Sequence, residues 1–220
     1  MCATLREPSS ETLLLNVAII PSAQVTTAAI ELSRAASMLG GLFELDERSH
    51  RPHLTIYMAR FARSQVDTIH SILTSFIPST ETQLLRHAGY HLTPLGYYEI
   101  SYERTPQLIA LHQNMTRELY GLRFSPGNPV VEDYFGEYTG ATKFNAERWG
   151  YDLVGELYRP HITLTRFAAG MRTGQSTSLP RWPIDLSFPF EAVGLFRADR
   201  MGSVGEVISV FELNRFGANR

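Results

Sequence analysis

The sequence predicts an α+β fold built mainly on antiparallel sheet, and three observations carry that prediction. Segments of strand type and helix type interleave along the 220 residues. Several neighbouring strands are separated only by short turns, as antiparallel pairing allows and parallel pairing does not. One hexapeptide occurs twice, about half a chain apart, which points to an internal pseudo-repeat.

Leu13 to Ile20 is a short apolar run, interrupted by Asn16 and ended by Pro21, that reads as a buried strand. Val25 to Gly40 carries Ala29, Leu32, Ala36 and Leu39 at helical spacing, with Gly40 and Gly41 as the stop. Leu54 to Ala59 reads as a second strand. Ser64 is placed to cap a helix with the stripe Val66, Ile69, Leu73, Phe76 and Ile77, halted by Pro78. Leu84 to Leu92 and Tyr97 to Glu103 are expected to pair about a turn holding Pro94 and Gly96. Thr105 followed by Pro106 marks the start of a helix that runs to about Tyr120, ahead of Gly121. Residues 121–155 hold no lasting period and read as an inserted, loop-rich segment. Ile162 to Phe167 is the next strand, followed by a Gly/Ser/Pro-rich loop from Gly170 to Arg181. Ala192 to Phe196 and Val207 to Leu213 are expected to pair across a turn at Gly202 to Gly205. Residues 1–220 are taken as one domain.

Twenty basic residues against 22 acidic ones leave a formal net charge of −2. That balance argues against wrapping long duplex nucleic acid, which needs many phosphate contacts from a basic face. One RNA end or a small phosphorylated ligand needs only a few local groups. Cys2 is the one cysteine, so neither an internal disulfide nor a thiolate metal cluster is available. The first residues lack a basic segment followed by an apolar stretch, and Leu13 to Ile20 is too short to span a bilayer. The expectation is a cytoplasmic monomer without membrane contact.

The repeated hexapeptide is Arg51-Pro52-His53-Leu54-Thr55-Ile56 and Arg159-Pro160-His161-Ile162-Thr163-Leu164, with the histidines 161 − 53 = 108 residues apart. A chance second copy is roughly a one-in-ten-thousand event at ordinary residue frequencies. In a strand, residues two apart share a face. Each copy therefore projects an imidazole and a hydroxyl together, while Leu54 and Ile56, or Ile162 and Leu164, anchor the opposite face in the core. Two such strands side by side would line a groove with two histidines and two threonines. A neutral imidazole can deprotonate an attacking hydroxyl, and an imidazolium can protonate a leaving oxygen. Threonine hydroxyls can donate hydrogen bonds to nonbridging phosphate oxygens as charge builds on them. Phosphoryl transfer by these four groups requires neither metal nor cofactor.

The paired His-x-Thr-apolar motifs, with this order of elements around them, resemble the 2H phosphoesterase superfamily, which includes 2′-5′ RNA ligase-like proteins and cyclic phosphodiesterases. The resemblance covers most of the chain. It implies a bilobal, pseudo-two-fold arrangement of mainly antiparallel sheets with flanking helices and a central cleft. It also implies an enzyme of metal-independent phosphodiester chemistry, with His53, Thr55, His161 and Thr163 as the catalytic positions. Its substrates would be 2′,3′-cyclic phosphates or 2′-5′ bonds of an RNA end or small nucleotide. Ligation in the reverse direction, or a non-catalytic RNA- or nucleotide-binding module on the same fold, are the alternatives. The segment 121–155 and the loop Gly170 to Arg181 exceed what a minimal member needs.

Four further residues are candidate substrate contacts. Arg51 and Arg159 precede the histidines by two and can share their face, either as guanidiniums near the phosphate or as surface arginines at a strand entrance. Tyr57 and Thr165, four residues after each histidine, fall on the same side if the strands stay regular. His70 and His112 lie by the apolar stripes of their helices and read as structural, and His87 and His91 are expected to stay off the site. A zinc site from His50, His53 and His161 lacks the usual ligand spacing. In 121–155, the aromatics Tyr134, Phe135, Tyr138, Phe144, Trp149 and Tyr151 are read mainly as packing, with one or two as a substrate lid.

Overall fold

The computed structural model describes residues 12–124, 138–168, 178–199 and 202–213. In chain order its elements are β1 (Thr12–Ile19), α1 (Ala23–Ser37), β2 (Leu54–Ala62), α2 (Val66–Phe76), β3 (Leu84–Leu85), β4 (His87–Leu92), β5 (Tyr97–Tyr102), α3 (Pro106–Tyr120), α4 (Gly140–Trp149), β6 (His161–Arg166), β7 (Phe188–Pro189), β8 (Ala192–Ala198) and β9 (Val204–Glu212). The strands form one sheet in the order β2-β1-β8-β9, a second in the order β4-β5-β6, and a small pair β3-β7. Every pairing is antiparallel, so the α+β class read from the sequence holds. β1 lies between two strands and is buried on both faces, which is why its sequence is a continuous apolar run rather than an alternation.

The internal repeat is visible in the topology. β1-α1-β2 and β5-α3-β6 each run strand, helix, motif strand, and β2 and β6 are both edge strands of their sheets. These two edges pack against each other. Each is covered by the helix of the other half. Ser33 of α1 donates its hydroxyl to the Leu164 carbonyl of β6 at 2.6 Å and accepts from the Leu45 N–H at 2.8 Å. In the mirrored position His112 of α3 places Nδ1 2.7 Å from the Ile56 carbonyl of β2. The chain leaving each helix follows the same foreign strand: Leu42 N–H bonds Arg166 O at 2.8 Å, and Phe124 N–H bonds Arg60 O at 2.7 Å. Edge strands carry unpaired backbone groups that burial would leave unsatisfied. Exchanging helices and tails across the junction satisfies them and joins the two sheets.

Several boundaries differ from the sequence reading. α1 begins two residues before Val25, where the Ser22 side chain accepts from Val25 N–H, and ends at Ser37. Ser64 does not cap α2; it sits inside a 3-10 turn, Arg63–Gln65, and the helix starts at Val66 with no side-chain cap. The expected strand Leu84 to Leu92 is divided, with β3 pairing to β7 and β4 to β5. Gly96 takes φ 84° in the β4–β5 turn, where a Cβ would stand 2.5 Å from the Phe167 carbonyl oxygen. β9 begins at Val204, so Gly205 lies inside a strand and the turn is closed instead by Asp199 N–H to Ser203 O at 2.9 Å.

The segment 121–155 is not all loop. α4 occupies part of it, set by a capping box between Thr139 and Thr142 and a left-handed Gly150 at its end. Its apolar stripe is almost absent: Phe144 is exposed, and Asn145 and Ala146 are the buried positions. The Asn145 amide donates to Asp152 O and Val154 O, at 2.9 and 2.8 Å, and pins the chain that follows. A helix held by caps and one polar clamp leaves no period to read. Tyr134 and Phe135 lie outside the described residues, as does most of Gly170 to Arg181. Among the described residues no helix is long and apolar enough to cross a membrane.

Candidate active site

The motif strands alternate as their sequences dictate. His53, Thr55, His161 and Thr163 are partly exposed, while Leu54, Ile56, Ile162 and Leu164 are fully buried. Because β2 and β6 meet edge to edge, the exposed faces come together. All four motif side chains line one cleft of about 530 Å³.

Both histidines are held the same way. Nδ1 of His53 lies 2.8 Å from the Arg51 carbonyl, and Nδ1 of His161 lies 2.8 Å from the Arg159 carbonyl. A carbonyl can only accept, so each Nδ1 carries its hydrogen and Nε2 is left as the nitrogen that exchanges a proton. Burial lowers the His53 pKa from 6.5 to about 4, reinforced by the charge of His161 and opposed by the Arg51 carbonyl and by Asp199. At neutral pH this ring is therefore uncharged.

The surroundings of the two motifs are unlike. Beside motif one, the fully buried Asn16 donates its amide to Thr55 Oγ at 2.9 Å. That leaves the threonine proton for another acceptor in the cleft. Beside motif two stands Glu99 of β5, only 1% exposed and registered against Thr163. Its carboxylate binds both terminal nitrogens of Arg159, Nη2 to Oε1 at 3.1 Å and Nη1 to Oε2. It also lies 3.6 Å from His161 Nε2 and 3.8 Å from His91 Nδ1. Burial pushes the Glu99 pKa up, yet His161, His91 and Arg159 together outweigh it and hold the group at about 2. Asp152, also in the cleft wall, is raised by burial against the pull of Arg159 and His161.

The candidate substrate contacts divide. Arg51 and Arg159 line the cleft, but both are tied back: Arg51 Nε donates to Gly205 O at 3.1 Å, and Arg159 pairs with Glu99. Tyr57 and Thr165 do not reach the cleft. Tyr57 is 0% exposed and donates to Trp149 O at 2.6 Å; Thr165 is 0% exposed and donates to Phe43 O at 2.7 Å. A register shift falls in each motif strand's pairing, between Val17 and Ala18 opposite β2 and between Tyr98 and Glu99 opposite β6. These irregularities end the simple alternation after the threonine, and the fourth position turns inward. His91, expected to stay off the site, is in the cleft lining, whereas His87 packs between Tyr90 and Tyr102. His112 is structural, stacked on Tyr158 with ring centroids 3.9 Å apart. His50 lines the cleft beside Phe43 and contacts Ser49 Oγ at 3.2 Å. Among the described residues no group of three or more His, Cys, Asp or Glu is arranged to hold a metal ion.

Sequence reasoning missed Glu99 and Asn16. The signals were present: Asn16 interrupts an otherwise apolar strand, and Glu99 is a lone charge between Tyr98 and Ile100. A polar residue inside a buried strand needs a partner, but only the folded register shows that the partners are motif residues. Apolar and aromatic side chains make up much of the remaining wall, among them Phe43, Leu45, Leu95, Tyr97, Leu153 and Leu157, together with Thr93, Thr139, Thr142 and Ser203.

No protein-family model matches the sequence, and no curated protein matches it. Solved structures do match in fold. A structure described as a phosphoesterase superposes with a TM-score of 0.59 at 16% identity, over 93% of this chain and 100% of that one. E. coli LigT complexed with ATP gives 0.58 at 16% identity, with 93% and 100% covered. TT0787 of Thermus thermophilus gives 0.57 at 16% identity, with 91% and 98% covered. At this identity the likeness is one of fold: this chain has the fold of these phosphoesterase and LigT structures.

Proposed function

We propose that this chain is a metal-independent phosphodiesterase acting on 2′,3′-cyclic phosphate or 2′-5′ phosphodiester bonds of an RNA end or small nucleotide. The single observation that carries the reading is the pair of His-x-Thr strands meeting in one cleft with both Nδ1 atoms held by backbone carbonyls. That arrangement offers two Nε2 atoms and two hydroxyls to one ligand. One Nε2 takes a proton from the attacking water as its oxygen bonds phosphorus. The other gives a proton to the leaving ribose oxygen as the old P–O bond breaks. Thr55 and Thr163 donate to the nonbridging oxygens, where negative charge grows. The apolar and aromatic wall suits a base or sugar face beside the phosphate. E. coli LigT, similar in fold, has been solved with ATP, with 3′-AMP and with phosphate, which supports a small nucleotide as the ligand class.

The test is turnover of a panel of 2′,3′-cyclic nucleotides, 2′-5′ oligoadenylates and RNA ends, with and without EDTA. The expected result is hydrolysis of at least one class at a rate that EDTA leaves intact. Binding without turnover across the panel would instead make this a nucleotide-binding module, and activity abolished by chelator and restored by a divalent ion would refute the metal-free mechanism.

A further inference from the structure

We infer that Asn16 is a positioning residue for Thr55: its buried amide holds the threonine oxygen from the strand side, so that the hydroxyl proton is directed into the cleft toward a phosphate oxygen. The inference rests on the phosphodiesterase reading of the cleft. Asn16 is at odds with its strand. β1 is Thr-Leu-Leu-Leu-Asn-Val-Ala-Ile, buried along nearly its whole length, and asparagine is a poor strand former. Asn16 is 0% exposed, and its Oδ1 is buried with no hydrogen-bond partner among the described residues. An apolar side chain would suit the position better, since a buried amide left half-paired costs stability. The hydrogen bond that its side chain does make goes to a motif residue, Nδ2 to Thr55 Oγ at 2.9 Å. Local rules of stability are broken at functional positions more than elsewhere.

The register shift between Val17 and Ala18 is what brings the two side chains together. Asn16 pairs with Met58 and Val17 with Tyr57, so unbroken pairing would set Thr55 opposite Ile19, on the other face of the sheet from Asn16. With the shift Thr55 pairs instead with Ala18, two residues from Asn16 and therefore on its face. The amide then reaches the hydroxyl along a diagonal. A threonine hydroxyl has one proton to give and two lone pairs to accept with. The Asn16 N–H occupies one lone pair, the proton points away from that bond, and Thr55 itself lines the cleft. Motif two is built otherwise. Thr163 is registered against Glu99, and both carboxylate oxygens of Glu99 bind Arg159. The amide therefore acts on one of the two phosphate-binding hydroxyls and not on the other.

The test is a pair of double-mutant cycles on the whole chain, with kcat/KM measured on a substrate found by the panel. Asn16→Leu removes the amide and should lower kcat/KM about tenfold, a fraction of the loss of about 10²-fold expected when the whole hydroxyl goes. In a Thr55→Ala background the same change should cost less than about twofold, because nothing is left to hold. In a Thr163→Ala background it should again cost about tenfold. A wild-type rate for Asn16→Leu, or a tenfold loss that persists without Thr55, overturns the inference. Urea unfolding identifies a merely structural role. Asn16→Leu should be at least as stable as wild type, since cleft water can reach Thr55. A residue kept for the fold would instead lose stability and lower the rate in every background, which also overturns the inference. Should Asn16→Leu fail to fold, the side-chain amide signals of Asn16 in 1H–15N spectra decide without it and without substrate. Thr55→Ala should move one of the two N–H signals upfield, and signals that stay in place overturn the inference. A protein inert toward the whole panel defeats the phosphodiesterase reading, while the amide signals still report whether Asn16 holds the Thr55 oxygen.

Discussion

Mild acid should loosen this fold through His112, and the size of the effect can be worked from its surroundings. The ring is completely buried, lies flat on Tyr158, and is used at both nitrogens. Nδ1 faces the Ile56 carbonyl of motif strand β2 at 2.7 Å, and Nε2 accepts the Gly155 N–H at 3.3 Å. Protonation would add a hydrogen to Nε2 and abolish that second contact. Burial accordingly lowers the pKa from 6.5 to about 4, against the pull of the Ile56 carbonyl and with help from Arg104. The sign follows by linkage. The unfolded chain binds the proton more readily, so His112's contribution to stability is complete above pH 6.5 and is lost as pH falls toward 4. At about 1.4 kcal/mol per pKa unit, moving from pH 7 to pH 5 costs about 2 kcal/mol. His53 pulls in the same direction, weakened by its access to cleft water. Urea unfolding of wild type and His112→Gln at pH 7, 6 and 5 measures this directly. The variant starts from lower stability, because it loses the stack, but its fall between pH 7 and pH 5 should be smaller by about 2 kcal/mol. An equal fall in both proteins would refute the reasoning.

Two further outcomes follow from the same geometry. His53→Ala and His161→Ala should each lower kcat/KM by about 10²- to 10⁴-fold, because each removes an acid or base that nothing replaces; Thr55→Ala and Thr163→Ala should cost about 10²-fold as lost donors to the phosphate. Rates that survive both histidine changes would move the chemistry elsewhere. Ser33→Ala leaves the Leu45 N–H and the Leu164 carbonyl buried without their partner, which should cost about 2–6 kcal/mol in a urea melt at about 1–3 kcal/mol per unmet group; a loss below about 1 kcal/mol would mean that water or a shift of β6 replaces the hydroxyl.

The sequence alone determined which side chains each motif strand turns toward the cleft and which it buries. A two-residue strand period puts His and Thr on one face and Leu or Ile on the other, and that local rule needed no knowledge of the rest of the chain. The same is true of α3, where Thr105, Pro106 and a regular apolar stripe set both ends. Tertiary structure decided whatever depended on register and partner. Tyr57 and Thr165 turn inward because the pairing of their strands slips opposite each motif. The expected strand Leu84 to Leu92 divides because its first residues find β7 and the rest find β5. Helix α4 is held by caps and the Asn145 clamp rather than by a stripe. Above all, the repeat makes the two motifs equal in sequence, and only the neighbouring strands distinguish them. Asn16 and Glu99 are 37 and 62 residues from the histidines they accompany (53 − 16 and 161 − 99). Antiparallel pairing across those distances is what sets an amide by one motif and a carboxylate by the other.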